Sequence, residues 1–154
     1  MGQGTVFKVY LPTVNESLVE GDQASLQTPS QAGTETILVV EDEAEVRSLI
    51  RLELESRGYT VLETDDAAKA LETCESHDQP IHLLLTDVVM PKMSGPMVAQ
   101  KVAELRPGIK VLYMSGYTDD AIVHHGVLSQ EMPFIQKPFS PLTLRRKIRE
   151  VLVG

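Results

Sequence analysis

The sequence predicts an α/β domain built on a doubly wound parallel sheet, with helices on both faces. Two observations predict this fold class. From Thr36 onward, short apolar runs alternate with segments in which apolar residues recur at helical spacing. The first run, Ile37 to Val40, is apolar at every position, which is typical of a strand buried on both faces. Five such units fit into about 120 residues, and the flavodoxin-like strand order 2-1-3-4-5 is the natural arrangement.

The first two units follow from apolar spacing and from one glycine. After the first strand, helical spacing is kept by Val46, Leu49, Ile50 and Leu54. Gly58 suits the end of this helix, because glycine readily adopts the left-handed conformation that terminates helices. A second strand is predicted over residues 59–63 and a second helix over residues 66–76.

The third unit begins with the apolar run Leu83 to Leu85 and its strand is predicted to end at Asp87. Ser94 is a suitable residue to cap the helix that follows. The residues expected on the inward face of this helix are Val98, Val102 and Leu105. Pro107 and Gly108 should end it.

The last two strands are predicted over residues 109–114 and 134–136, with a short helix over residues 118–126 between them. Ser140 and Pro141 open a final helix, since serine caps helices and proline is favoured in their first turn. Its expected inward residues are Leu144, Ile148, Val151 and Leu152.

Composition sets limits on partners and on domain organisation. The formal net charge of −8 argues against a nucleic-acid-binding face. The chain has a single cysteine, which fits a reducing, cytoplasmic compartment, and its apolar runs are too short for a transmembrane helix, so we expect no direct membrane contact. Residues 13–33 are rich in Ser, Gln, Thr and Gly and are predicted to be a flexible linker, leaving residues 34–154 as the domain.

Chemically active residues follow four of the predicted strands. Glu41 and Asp42 follow the first strand, Asp87 ends the third, and the fourth and fifth lead to Ser115 and Lys137. The carboxyl ends of parallel strands lie at one edge of a sheet, so these side chains are expected to converge. Each residue alone would be interpreted as a solvated loop residue, but their joint occurrence favours a functional site.

The chemistry of such a cluster is specific. Crowded carboxylates repel one another and their pKa values rise unless a cation lies between them. Mg²⁺ prefers hard oxygen ligands and binds through one or two carboxylates together with waters and phosphate oxygens. Lys137 supplies a second positive charge and Ser115 a hydroxyl donor, which leaves Asp87 as the nucleophile for a phosphoryl group.

Residues 36–154 resemble the response-regulator receiver family of two-component signalling along their whole length. The matching segments are ILVVEDE at 37–43, TDVVMP at 86–91 followed by Ser94-Gly95, MSGY at 114–117 and KPF at 137–139. Together these motifs are highly specific. The resemblance implies that Asp87 is the phosphoacceptor, that Lys137 is the active-site lysine, and that Ser115 and Phe134 are the switch residues.

The resemblance also implies a cofactor and partners. The implied Mg²⁺ ligands are Asp42, Asp87 and the backbone carbonyl of Val89, with Glu41 completing the acidic pocket through water. Glu41 is a mild departure, because the family more often has aspartate there. The implied phosphodonor is the phosphohistidine domain of a histidine kinase or a histidine phosphotransfer protein, and a homodimer is left open.

The first residues carry a second resemblance. Residues 2–12, GQGTVFKVYLP, look like the last strand of a histidine-kinase ATPase domain. This implies that residues 1–12 are the remnant of such a domain and that the chain is the C-terminal receiver of a hybrid sensor histidine kinase, whose membrane attachment is left open. The chain itself lacks the nucleotide pocket and the phosphorylatable-histidine helix, so we expect it to catalyse only its own phosphorylation and dephosphorylation.

Three alternatives are weighed against this hypothesis. A stand-alone single-domain response regulator would share every motif of residues 36–154. A Mg²⁺-dependent aspartyl-phosphate hydrolase of the haloacid-dehalogenase type would need an acidic residue two positions after the nucleophile, where this chain has Val89. A pseudo-receiver that serves only as an interaction module would have lost Asp87, Lys137 or the acidic pair, all of which are present.

Overall fold

The computed structural model describes residues 33–116 and 132–154. The strands in these ranges are β1 (Thr36–Val40), β2 (Thr60–Thr64), β3 (Leu83–Asp87), β4 (Lys110–Ser115) and β5 (Phe134–Gln136). The helices are α1 (Ala44–Glu55), α2 (Ala67–Ser76), α3 (Gly95–Leu105) and α4 (Pro141–Val153). The helix predicted at 118–126 and the predictions for residues 1–12 and 13–32 fall outside the described residues.

All five strands are parallel and form one sheet in the order β2-β1-β3-β4-β5. The predicted fold class and strand order are therefore confirmed. All five residues of β1 are buried, as the continuous apolar run predicted, because β1 lies inside the sheet between β2 and β3. The predicted bounds of β2 and β4 begin one residue early.

Successive side chains of a strand point to opposite faces of the sheet, so the core is divided between the two faces. On one face, Leu38, Val40 and Leu84 pack against apolar residues of α2 and α3. On the other face, Ile37, Val39, Leu83 and Leu85 pack against α1 and α4 through Ile50, Leu54, Leu144 and Ile148. Full burial of one such aliphatic side chain stabilises the fold by about 1.5–3 kcal/mol. Val151 and Leu152 are only partly buried at the rim of this second cluster.

Two details of α3 differ from the prediction. Ser94 occupies the N-cap position, but its side chain makes no capping hydrogen bond, and Pro96 in the first turn reduces the need for one because it lacks an N–H. Leu105 was expected to face the core and is 40% exposed. It is the last residue of α3 and lines a surface pocket near the starts of β3 and β4, whereas Ala99 is buried.

The other helix termini follow the sequence signals. The Ser140 hydroxyl accepts a hydrogen bond from the Thr143 N–H at 3.1 Å and so caps α4. Asp66 caps α2 by accepting from the Ala68 N–H at 2.7 Å. Gly58 follows α1 with φ of 90°, a left-handed conformation that favours glycine.

Candidate functional site

The carboxyl edge of the sheet gathers the residues that the sequence singled out. Glu41 follows β1 directly, Asp87 ends β3, Ser115 ends β4, and Lys137 follows β5. The register keeps these ends level, because Asp87 pairs with Met114 and Ser115 pairs with Gln136. The parallel arrangement of the strands thus brings residues 96 positions apart into contact.

Lys137 joins two of the carboxylates. Its Nζ lies 2.6 Å from Oε2 of Glu41 and 2.6 Å from Oδ2 of Asp87. The side chains are largely withdrawn from solvent, with 16% of Lys137, 13% of Asp87 and none of Glu41 exposed. One ammonium group therefore balances two carboxylates in a sparsely hydrated site, which leaves an excess negative charge.

Burial and ion pairing act against each other on these groups. Burial raises the pKa of Glu41, and the hydrogen bond from Lys137 opposes this rise. Burial alone would lower the pKa of Lys137, but hydrogen bonds to Asp87 and Glu41 outweigh it and the pKa is raised. Lys137 therefore stays protonated at neutral pH and acts as a charged hydrogen-bond donor.

Asp42 completes the acidic cluster. One carboxylate oxygen each from Glu41, Asp42 and Asp87 lie within 4.8 Å of one another. The Asp42 side chain is exposed at the mouth of the site, whereas Glu41 is fully buried. Three oxygen donors in this arrangement fit a hard divalent cation that keeps part of its water shell.

Val89 and Ser115 lie beside the cluster. The Val89 N–H donates to Oδ1 of Asp87 at 3.2 Å, which fixes the orientation of that carboxylate, and the Val89 side chain is 60% exposed. Ser115 is buried, and its carbonyl accepts from the Lys137 N–H at 2.7 Å. This bond ties the end of β4 to the loop that carries the lysine. The roles assigned to the Val89 carbonyl and the Ser115 hydroxyl stay predictions.

Phe134 lies at the far end of β5 from Lys137. It is in register with Tyr113 and packs, partly buried, against the core cluster on the α2 and α3 face. The structure therefore brings Glu41, Asp42, Asp87 and Lys137 together and places Phe134 outside direct contact, two residues along the strand from the Gln136 that pairs with Ser115.

Sequence reasoning missed two residues at this edge. The Arg47 guanidinium, from the first turn of α1, donates to the carbonyl oxygen of Glu41 at 2.6 Å. Gly95 lies where α3 meets β3, and a Cβ there would stand 2.2 Å from the Asp87 carbonyl oxygen. Spacing could have found Arg47, since it is five residues after Asp42 and one turn into the helix. Gly95 belongs to a motif of the resemblance, but the sequence does not show that the close approach of α3 to β3 requires glycine there.

An apolar groove opens next to the site, between α1 and α4. Its volume is 780 Å³ and its lining includes Val46, Leu49, Leu52, Phe139, Leu144 and Lys137. Leu49 and Leu52 are 67% and 58% exposed, although both are large and apolar. The groove therefore places exposed apolar surface beside the lysine of the acidic cluster.

The open parallel sheet, with an acidic cluster and a lysine at its carboxyl edge, defines an α/β protein of the flavodoxin-like class. A family model for the response regulator receiver domain matches residues 37–149. This match covers most of the chain, so the chain belongs to the response regulator receiver family.

Individual relatives agree with this assignment. The sensor kinase CckA of Brucella abortus is 34% identical and its match covers 99% of this chain, which spans only 17% of that protein. The response regulator receiver protein CpdR of the same organism is 32% identical over 77% of this chain and 97% of its own length. The crystal structure of the receiver domain from the hybrid histidine kinase CckA superimposes with a TM-score of 0.65 at 34% identity, covering 76% of this chain and 98% of that domain.

Within residues 33–116 and 132–154, every helix is too short or too polar to cross a membrane.

Proposed function

We propose that this chain takes a phosphoryl group from a phosphohistidine onto Asp87, with Mg²⁺ bound at the acidic cluster, and then changes a protein-interaction surface. The observation that carries this proposal is the contact of Lys137 with both Glu41 and Asp87 at the carboxyl edge of the sheet. A surface ion pair would not need a lysine withdrawn from solvent between two carboxylates. A phosphoryl-transfer site does need such a lysine, because charge on the phosphoryl oxygens must be balanced.

Each of these groups has a role in the proposed transfer step. A carboxylate oxygen of Asp87 attacks the phosphorus of the phosphohistidine and forms an O–P bond. The P–N bond breaks, and its electron pair leaves with the imidazole nitrogen. Lys137 releases one carboxylate contact and donates to a phosphoryl oxygen, while Glu41 keeps the other contact and holds the ammonium in place. Water later attacks the phosphorus of the acyl phosphate, inorganic phosphate is released, and the carboxylate of Asp87 is restored.

The donor set fits Mg²⁺. Oxygens of Glu41, Asp42 and Asp87 lie within one ion's reach, and the exposed position of Asp42 leaves room for coordinated water. When bound, the ion would neutralise negative charge on the carboxylates and on the incoming phosphoryl group. The carbonyl of Val89 is the additional ligand that we propose.

Acetyl phosphate tests the acceptor residue. Wild type incubated with acetyl phosphate and Mg²⁺ should gain the mass of one phosphoryl group by intact-mass spectrometry, and Asp87→Asn should gain none. Asp78→Asn is the matched control, because Asp78 is an exposed aspartate near the opposite edge of the sheet. Omission of Mg²⁺ should abolish the gain. Equal phosphorylation of wild type and Asp87→Asn would overturn the assignment of Asp87.

The groove beside the site supports the proposal that the phosphodonor is a protein. Exposed leucines on α1 lie next to Lys137, and exposed apolar patches of this kind mark protein-binding surfaces. We propose that the phosphohistidine-bearing helix of a histidine kinase or of a histidine phosphotransfer protein packs there, so that its imidazole reaches Asp87.

We also propose that this chain is the receiver of a hybrid histidine kinase. The match to CckA covers 99% of the chain and so extends over nearly all of the residues before the domain, whereas the match to CpdR covers 77% of the chain. Together with the resemblance of residues 2–12 to a kinase strand, this supports a receiver joined by a linker over residues 13–33 to a histidine-kinase core. The near-full-length match of CpdR favours the alternative of a stand-alone response regulator.

Immunoblotting of source cells with an antibody against residues 34–154 separates these two origins. A hybrid kinase predicts a band several times larger than the 17.0 kDa of this chain. A single band near 17.0 kDa would support the stand-alone regulator instead.

A further inference from the structure

Arg47 holds the backbone that presents the acidic pair. Its Nη1 donates to the Glu41 carbonyl at 2.6 Å and lies 3.4 Å from the Asp42 carbonyl. The side chain therefore folds back from α1 onto the loop between β1 and α1. A charged donor makes stronger hydrogen bonds to carbonyls than a neutral donor does, so this contact restrains both peptide units.

The two carboxylates of this loop are restrained very differently. Glu41 is buried, bonded to Lys137, and accepts from the Glu43 N–H at 3.3 Å. Asp42 is exposed, and within the described residues no hydrogen bond or ion pair holds its carboxylate. The backbone of Asp42 therefore sets the region that its carboxylate can reach, and this backbone is the part that Arg47 contacts.

The guanidinium also leaves the cation site accessible. Arg47 donates to carbonyl oxygens, whereas Lys137 donates to carboxylate oxygens. Arg47 can thus add positive charge near three carboxylates without occupying the oxygens that a cation would use. A second lysine at the mouth of the site would compete for those oxygens.

We infer that Arg47 is a positioning residue for the divalent cation: it fixes the β1–α1 loop so that the Asp42 carboxylate points at the site shared with Glu41 and Asp87. This inference rests on the proposed function, since it assigns Arg47 a role in the same site. Arg47 contacts the backbone carbonyls of Glu41 and Asp42 and acts on the site through the backbone of Asp42.

Arg51 provides a matched control on the same helix. It lies one turn further along α1 and is 3.3 Å from Glu63 and 3.8 Å from Glu55. It makes no contact with the β1–α1 loop among the described residues. Removing Arg51 therefore removes the same charge from the same face of α1 without releasing the carbonyls of Glu41 and Asp42.

The experiment compares Mg²⁺ binding by titration calorimetry in wild type, Arg47→Met, Arg47→Lys and Arg51→Met. Loss of a residue that orients metal ligands typically weakens metal binding about 10–100-fold, and we expect this for Arg47→Met. Arg47→Lys keeps one charged donor and should recover part of the affinity. Arg51→Met should bind as wild type does. In amide NMR spectra without metal, Arg47→Met should shift the signals of Glu41, Asp42 and Glu43 most.

The outcomes separate this inference from the proposed function. If wild type neither binds Mg²⁺ nor reacts with acetyl phosphate, the proposed function fails. If wild type does both and folded Arg47→Met binds Mg²⁺ equally well, the positioning role is wrong. Equal weakening in Arg51→Met would show that charge alone matters and would also overturn it. If Arg47→Met does not fold, the Mg²⁺ affinity of Arg47→Lys is the deciding measurement. An affinity equal to that of wild type would show that the guanidinium is not needed and would contradict the inference.

Discussion

At the scale of single residues, Lys137 has to satisfy more negative charge than it carries. It pairs with Glu41 and Asp87, and Asp42 adds a third carboxylate nearby. Such an arrangement stores unfavourable carboxylate repulsion, which an incoming cation relieves. Carboxylate repulsion therefore costs the metal-free domain some stability, which the proposed cation would restore.

Removal of Lys137 should destabilise the metal-free protein. Lys137→Met leaves the buried Glu41 carboxylate without its cationic partner, and loss of one member of a buried pair costs about 3 kcal/mol. Urea unfolding should show this decrease, and adding Asp87→Asn to Lys137→Met should recover part of it by removing one repelling charge. Lys92→Met, which loses a pair with Asp66 through a side chain that is 80% exposed, is the control and should change stability little. An unchanged unfolding free energy in Lys137→Met would contradict this role.

Gly95 sets the distance between α3 and β3. Its N–H donates to the Val88 carbonyl at 3.0 Å, and an added Cβ would lie 2.2 Å from the Asp87 carbonyl oxygen. We expect Gly95→Ala to lower the free energy of unfolding by about 1–3 kcal/mol, because backbone must move to relieve the overlap, and to slow labelling of Asp87 by acetyl phosphate. Gly116→Ala is the steric control for the unfolding free energy alone, since no described atom lies within 4 Å of a Cβ there. Wild-type stability in Gly95→Ala would show that the helix shifts freely.

At the scale of elements, α1 carries both a core face and an exposed apolar face. Ile50 and Leu54 are buried against the sheet, whereas Leu49 and Leu52 are exposed and line the groove toward α4. Helical spacing in the sequence grouped Leu49 with the core residues. The structure shows that the apolar stripe is wider than the core needs, which is why α1 is a candidate contact surface.

A charge in this groove should separate donor docking from acceptor chemistry. Leu49→Glu should slow transfer from a phosphorylated histidine-kinase domain at least tenfold, because a carboxylate would be buried against the apolar surface of the donor. Labelling by acetyl phosphate, which needs no docking surface, should be unchanged. Leu142→Glu is the matched control, since Leu142 is 68% exposed and lies outside the groove lining. Equal transfer rates in all three proteins would exclude this face of α1 as the docking surface.

The sequence predicted the strands and the location of the site more completely than it predicted the contacts within the site. Buried parallel strands are apolar at nearly every position, so β1 and β3 were predicted closely, and the topology then placed Glu41, Asp87 and Lys137 at one edge. Spacing indicates that Arg47 lies near the acidic pair, but its contact with the backbone carbonyl of Glu41 could not be predicted, because every residue has a carbonyl. The exposure of Leu105 and the missing Ser94 cap depend on how α3 ends and begins against the sheet, which periodicity does not determine.

At the scale of the whole molecule, the site and the β4–β5 edge are linked through alternation along β4. Tyr113 and Ser115 are two residues apart and therefore lie on the same face of the strand. Tyr113 pairs with Phe134, and Ser115 pairs with Gln136, the residue before Lys137. A displacement of Ser115 at the site therefore acts on the same surface of the sheet that holds the Phe134 ring.

Phosphorylation should move Phe134. A phosphoryl group adds about 1.5–2 negative charges and new acceptor oxygens, and we propose that Ser115 moves toward them as a donor. That movement vacates space beside β4 on the face shared with Tyr113, and the partly buried Phe134 ring can turn inward to fill it. The bistable element is then the loop after β4, beginning at Ser115 and Gly116, coupled to the Phe134 ring.

Side-chain NMR with beryllofluoride, a phosphoryl mimic, tests this coupling. In the presence of Mg²⁺ the Phe134 ring signals should shift strongly, although Phe134 does not contact Asp87. Tyr59 is the control aromatic, because it packs on the opposite face of the sheet next to β2 and should stay unchanged. Asp87→Asn should show no Phe134 shift under the same conditions. Shifts confined to the neighbours of Asp87, with the Phe134 signals unaltered in wild type, would contradict the proposed switch. The Phe134 ring would then be a fixed part of the β5 edge, and phosphorylation would change a different surface of the domain.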